Sequence, residues 1–174
     1  MLKAVSAVLV CALAGLGTSA PATADAPLRA FTGTVAGDMS LAPVGLPGCP
    51  ADDADLPSQR AASVARGAAS HLGRVRMTSE HCSPPAAAIE DGDMTLVGDT
   101  GDQVHLRYLG GGSYPSGGVP GTVVKFNLAF TIDGGTGRFA DATGSGEMTA
   151  YATFPGGGAR SWPATWIWDG MISY

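Results

Sequence analysis

A strict two-residue alternation that runs into a glycine-rich corner constrains this chain more than any other feature. Over residues 122–132, Val124, Phe126, Leu128, Phe130 and Ile132 alternate with Val123, Lys125, Asn127, Ala129 and Thr131, the pattern of a strand with one buried face. The chain then passes through Asp133-Gly134-Gly135-Thr136-Gly137-Arg138-Phe139-Ala140-Asp141-Ala142-Thr143-Gly144 and leaves on a second alternating run. There Gly146, Met148, Ala150, Ala152 and Phe154 share a face. Gly134, Gly135, Gly137 and Gly144 give the corner access to positive φ, and Phe139 is expected to anchor it against the end of the sheet.

The same reading extends along most of the chain. Phe31-Thr32-Gly33-Thr34-Val35 reads as a first strand, and the Pro- and Asp-rich residues 41–57 read as a loop. The Ala content of residues 60–67 permits a helical turn. From Ala68 a strand is expected to run to Cys82, with Leu72, Arg74, Arg76 and Thr78 on one face and His71, Gly73, Val75 and Met77 on the other. Met94-Thr95-Leu96-Val97 and Gln103-Val104-His105-Leu106-Arg107-Tyr108 flank a Gly/Asp turn and form a hairpin. Residues 110–121 read as a surface loop. Residues 164–174 form the closing strand, with Trp166, Trp168, Gly170, Ile172 and Tyr174 on one face. Seven or eight antiparallel segments result. Either a sandwich or an up-and-down barrel fits, and closure is favoured because it removes exposed edges in a chain with few charges.

Residues 1–24 carry the marks of a secretory signal: Lys3, an apolar run over 4–16, and Ala22-Thr23-Ala24 before Asp25. The run is too short to span a bilayer, so no membrane span is expected. Cleavage leaves about 150 residues, the size of a single domain over 25–174. Loss of Lys3 shifts the formal charge from -5 to about -6, a sign that disfavours nucleic acid. Of three cysteines, Cys11 leaves with the signal, and Cys49 and Cys82 are expected to pair in an oxidising compartment.

Chemistry-bearing motifs are few. Gly135-Thr136-Gly137-Arg138-Phe139-Ala140 satisfies a loose dinucleotide fingerprint, but strand patterns follow it where a helix is required. Asp99-Thr100-Gly101 resembles the aspartic-protease tripeptide but occurs once, at a hairpin tip. Glu90, Asp91, Asp93, Asp99 and Asp102 could surround a calcium ion, but calcium-loop spacing is absent and solvated turn acids are the commoner case. His71, His81 and His105 lack metal-ligand spacing, and no nucleophile elbow is present. Neither metal nor cofactor is called for. Trp162, Trp166 and Trp168 are compatible with a ligand surface or with core filling.

Ala69-Ser70-His71-Leu72-Gly73-Arg74, the hairpin around Gly101-Asp102, and the Gly-Gly-Thr-Gly-Arg-Phe-Ala-Asp-Ala-Thr-Gly run together resemble bacterial secreted relatives of the allene oxide cyclase and dirigent barrels. The resemblance covers residues 31–174 and implies an all-β, eight-stranded antiparallel up-and-down barrel whose interior can hold an apolar guest. It does not bring either activity. The first strand, Phe31-Thr32-Gly33-Thr34-Val35, has no carboxylate where allene oxide cyclases keep one, and Thr143 stands where dirigent proteins keep an arginine.

The leading functional expectation is therefore a secreted barrel that binds a small apolar molecule, with Trp166, Trp168, Phe126 and Phe130 as lining residues. The alternative is an isomerase or cyclase that steers a reactive intermediate, with His71, His105, Arg107 and Tyr108 as its polar groups. A third is a solid barrel whose loops at 41–57 and 110–121 bind a partner.

Overall fold

The computed structural model describes residues 26–42, 49, 59–83, 88–112 and 119–174. The expected signal over 1–24, most of the expected 41–57 loop and residues 113–118 of the expected 110–121 loop lie outside the described residues. Eight strands follow in order: β1 (Arg29–Leu41), β2 (Gln59–Ala69), β3 (Gly73–Ser83), β4 (Ala88–Val97), β5 (Gln103–Gly112), β6 (Val123–Gly135), β7 (Thr143–Thr153) and β8 (Ser161–Ser173). Each pairs antiparallel with its sequence neighbours, and β1 pairs with β8 from Arg29↔Ile172 to Ser40↔Ser161, closing an up-and-down barrel. Closure leaves no strand edge exposed.

Side chains alternate across the wall, and β6 shows the pattern most clearly: Val124, Phe126, Leu128, Phe130 and Ile132 all point into the lumen. β8 and β2 contrast in the size of the residues they send inward. β8 sends in Trp162, Trp166, Trp168 and Ile172, whereas β2 sends in Ala61, Ser63, Ala65 and Ala69. Phe31 ties the sides together, with ring centroids 6.3 Å from Phe130 and 6.1 Å from Trp168.

Three local expectations are corrected. Residues 60–67 are not a helical turn but part of β2. Their inward row of Ala and Ser carries no bulky apolar signal, so the alternation is invisible by hydropathy. The strand expected from Ala68 to Cys82 is broken: β2 ends at Ala69 and β3 starts at Gly73. Between them His71 adopts φ 66° and Gly73 φ 72°, so His71 is a turn residue and not a strand residue. Local hydrogen bonds hold the bend. The Thr32 N–H donates to Ser70 Oγ at 2.9 Å, and the Ser70 N–H donates to the Thr32 carbonyl at 2.8 Å. Finally, residues 110–112 belong to β5 and not to the loop, because their missing side chains make room for β6, with Phe126 against Gly112 and Leu128 against Gly110.

One end of the barrel is sewn shut by the corner after β6. A 3-10 turn, Gly137–Phe139, drops Phe139 into full burial, and its ring centroid lies 4.6 Å from that of Tyr174. Gly134 (φ 113°) and Gly137 (φ 61°) supply the positive φ values; a side chain at Gly137 would also strike Asp102. Thr136 fastens the corner to the β4–β5 hairpin, its N–H donating to the Gln103 carbonyl at 3.0 Å while its Oγ1 accepts from the Gln103 N–H at 3.1 Å. Arg138 donates to the His71 carbonyl and approaches Asp102 at 3.5 Å, so one guanidinium spans three turns. At the opposite end a disulfide joins Cys49 to Cys82 with a Cα–Cα separation of 5.5 Å.

Candidate functional site

The polar groups that face the lumen gather on β2, β3 and β5. Ser63 and Ser79 are directly opposite each other on β2 and β3, and both are buried. Beyond them the β3–β4 ladder slips its register between Glu80 and Cys82, and the β4–β5 ladder slips between Ile89 and Gly92. Asp91 at φ 50° marks the irregularity on β4. Such bulges re-aim side chains next to sites. Here His81 is packed edge-on against Tyr108, with ring centroids 5.8 Å apart and planes at 77°. Tyr108 can bend that way because Gly92 is its partner on β4: a Cβ there would come within 2.4 Å of the phenol ring.

His81 Nδ1 lies 2.8 Å from Tyr108 Oη. A second acceptor for the phenol, the Glu80 carbonyl, stands at 3.5 Å, too long for a good bond. The network is best satisfied when the phenol donates to Nδ1 and the imidazole proton sits on Nε2, a tautomer assigned from hydrogen bonding. Burial lowers the His81 pKa to about 4, so the ring is neutral at neutral pH. Burial likewise raises the Tyr108 pKa, and the carboxylates of Asp93 and Glu80 add to the rise. The Ser79 hydroxyl, near the phenol but outside good hydrogen-bonding geometry, opposes that rise. The cluster is thus an uncharged patch of donors and acceptors.

Within it, the Ser63 and Ser79 hydroxyls have no hydrogen-bond partner among the described residues. Trp168 Nε1, also buried, has none either. Buried polar atoms are nearly always paired, so these two hydroxyls, at opposed positions of one ladder, are the polar groups of the lumen most open to a hydrogen-bonding guest. What this arrangement does well is hold the hydroxyl or carbonyl of an uncharged molecule. A histidine with a pKa near 4 is a poor general base at neutral pH.

The four polar residues singled out from sequence are not brought together. His71 caps the sewn end, its Nε2 2.8 Å from the Ala30 carbonyl and its ring centroid 5.6 Å from that of Tyr174. His105 lies on the outer face of β5, within 3.3 Å of Gln103 Oε1. Arg107 is on the same outer face and pairs with Asp133 at 3.0 Å and Asp93 at 3.8 Å; the Asp133 hydrogen bond is the main cause that raises its pKa. Only Tyr108 points inward. The aromatic candidates all do, but Phe130 and Trp168 lie against Phe31 while Phe126 and Trp166 are equally buried, so all four build the core.

The turn acids are engaged elsewhere: Asp99 accepts from Arg74, Asp102 from Thr100, and Asp93 faces Arg107. Among the described residues no three His, Cys, Asp or Glu side chains gather as a metal site, and no helix is long and apolar enough to cross a membrane. Sequence reading missed Ser63, Ser79 and His81. His81 shares the parity of Val75 and Met77, which was a usable signal that it faces inward. Ser63 sat in a segment whose strand character went unread. The chain matches no family model, no curated protein and no solved structure.

Proposed function

We propose that this is a secreted barrel that binds a small, largely apolar and uncharged molecule in its lumen. The observation that carries the reading is the pair of buried, unpartnered hydroxyls of Ser63 and Ser79 beside the neutral His81–Tyr108 pair. A guest with an apolar body and one hydroxyl or carbonyl satisfies those oxygens while its remainder contacts Met77, Met94 and the β2 alanines, which share the same wall. Secretion is supported by the Cys49–Cys82 disulfide and by the signal-like residues 1–24. The resemblance to allene oxide cyclase and dirigent barrels points the same way.

Native mass spectrometry of protein taken from its own secreting cells tests the reading. A retained adduct released by organic solvent is the expected result. A bare polypeptide mass, together with unchanged Trp fluorescence across a panel of apolar alcohols and ketones, sinks it.

The hydrogen-bonded His81–Tyr108 pair favours a second reading, an isomerase or cyclase that steers a reactive intermediate by shape and a few hydrogen bonds. That reading requires chemical turnover of a bound guest. Recovery of the guest unchanged after prolonged incubation argues for carriage alone.

A further inference from the structure

The outer wall of the barrel carries a second feature, unconnected with the lumen. Arg66 on β2 and Arg76 on β3 are cross-strand partners, and both side chains are exposed on the outer face. Two like charges directly opposite one another repel, so an antiparallel ladder ordinarily avoids them. Among the described residues neither guanidinium has a hydrogen bond or an ion pair, whereas Arg60, Arg74, Arg107 and Arg138 each pair with an acid. In a chain of formal charge -5 with ten Lys and Arg residues, two unpaired arginines at opposed positions of one ladder are a local reversal of sign.

They also line a concavity. Arg66, Arg74, Arg76, Val97 and Asp99 border a depression of about 550 Å³ outside the wall of β2, β3 and β4. That volume falls within the range of small-molecule sites, roughly 300–1,000 Å³. Arg74 contributes less charge, because its backbone N–H and Nε–H both donate to Asp99, at 3.0 and 3.2 Å. Asp99 therefore closes one side of the groove with a neutralised ion pair and leaves Arg66 and Arg76 as its unbalanced charge.

We propose that this groove binds a phosphate or sulfate group borne by a small organic molecule. Two planar guanidinium forks offer paired N–H donors that match tetrahedral oxyanion geometry, which a lysine pair would not do. The bound anion removes the repulsion between Arg66 and Arg76, and the rest of the groove takes the organic body. Charge and concavity converge on one ligand class.

Isothermal titration of the intact protein with inorganic phosphate, inorganic sulfate and glucose 6-phosphate tests this, with sodium chloride at matched ionic strength as the control. Saturable binding of glucose 6-phosphate is expected, with Arg66→Gln and Arg76→Gln each weakening it by about tenfold or more and Arg107→Gln leaving it unchanged. Tighter binding of the ester than of either free ion supports an organic ligand. Equal binding of inorganic phosphate and the ester overturns the organic part of the proposal and leaves a free-ion site. Absence of saturable binding, or binding that survives both Arg66→Gln and Arg76→Gln, overturns the site itself. Both variants relieve a like-charge contact and are expected to melt no lower than the parent, so a lost signal reports binding and not unfolding.

Discussion

Gly33 on β1 and Trp168 on β8 face each other inside the barrel, and the indole lies directly over the bare backbone of its partner. A Cβ placed on Gly33 would stand 2.1 Å from Trp168 Cζ2. The relationship recurs around the lumen. Gly92 underlies Tyr108, Gly112 underlies Phe126, and the paired Gly146 and Gly170 underlie Phe130, with Cβ positions 2.4 to 2.8 Å from those rings. Glycine normally weakens a strand, but here each missing side chain is the volume that a neighbouring ring occupies. The inner aromatics and the strand glycines are one packing scheme.

Gly33→Ala is therefore expected to destabilise the barrel by about 1–3 kcal/mol, because the indole has backbone on one side and Phe31 on another. Urea denaturation followed by Trp fluorescence measures it. Gly157→Ala is the matched control: a Cβ there meets nothing within 4 Å, and a change within about 0.5 kcal/mol is expected. Equal effects at the two sites would refute the packing account.

Phe139 closes one end of the lumen and is fully buried against Tyr174. Phe139→Ala removes a large buried ring from a site that cannot collapse, since the corner around it is held by Thr136 and Arg138. A loss of about 3–5 kcal/mol is expected, read as a lowered denaturation midpoint. Tyr174→Ala removes a half-buried ring and is expected to cost less.

The Cys49–Cys82 bridge spans a sequence separation of 33 residues. In the chain-entropy model a loop of that length stabilises by about 3–4 kcal/mol. The double Cys49→Ser, Cys82→Ser variant should show that loss in thermal or urea unfolding. Reduction of the parent with dithiothreitol should reproduce it, whereas the variant should be insensitive to the reductant.

The barrel was legible where bulky and polar residues alternate, as on β6 and β8, because period two with large apolar side chains leaves few alternatives. It was illegible on β2, where Ala61, Ser63 and Ala65 point inward and small size replaces hydrophobicity as the core requirement. The β2–β3 turn was missed for a different reason. His71 takes a positive φ there without being glycine, and the turn residues beside it, Ser70 and Gly73, fit the alternation of a continuous strand equally well. The site suffered from both failures. Its serines lie on or opposite β2, and His81 sits at a ladder slip that no residue pattern announces. His105 and Arg107, polar residues on a recognised strand, attracted functional weight that their outward direction removes.

His81 gives the fold a sloping acid limb. Its pKa in the folded protein is about 4 against 6.5 for the free side chain, so below about pH 6.5 the unfolded chain takes up a proton that the native state refuses. Stability contributed by the neutral ring is complete above pH 6.5, falls between 6.5 and 4, and levels off below that. The ring keeps some exposure, so the loss is about 2–3 kcal/mol. Urea midpoints at pH 7 and pH 4.5 should differ more for the parent than for His81→Asn, which retains a group near Nδ1 but does not titrate. Parallel losses in the two proteins would show that carboxylates alone set the acid limb.

Ser63 separates stability from binding. Its buried hydroxyl has no hydrogen-bond partner among the described residues, and a buried hydroxyl left unpaired costs about 1–3 kcal/mol. Ser63→Ala removes the oxygen and almost no volume, and β2 already carries alanine at the inward positions on either side, Ala61 and Ala65. The variant is therefore expected to be more stable than the parent by about 1 kcal/mol, and Ser79→Ala to behave alike. If the lumen holds a guest through these hydroxyls, the same substitutions should weaken that guest by about tenfold, measured by titration of Trp fluorescence or by loss of the adduct in native mass spectra. A stabilised protein that no longer retains its guest would show serine kept at a cost to the fold. A destabilised variant would mean instead that the hydroxyls are already satisfied by water and that the lumen at this point is wet.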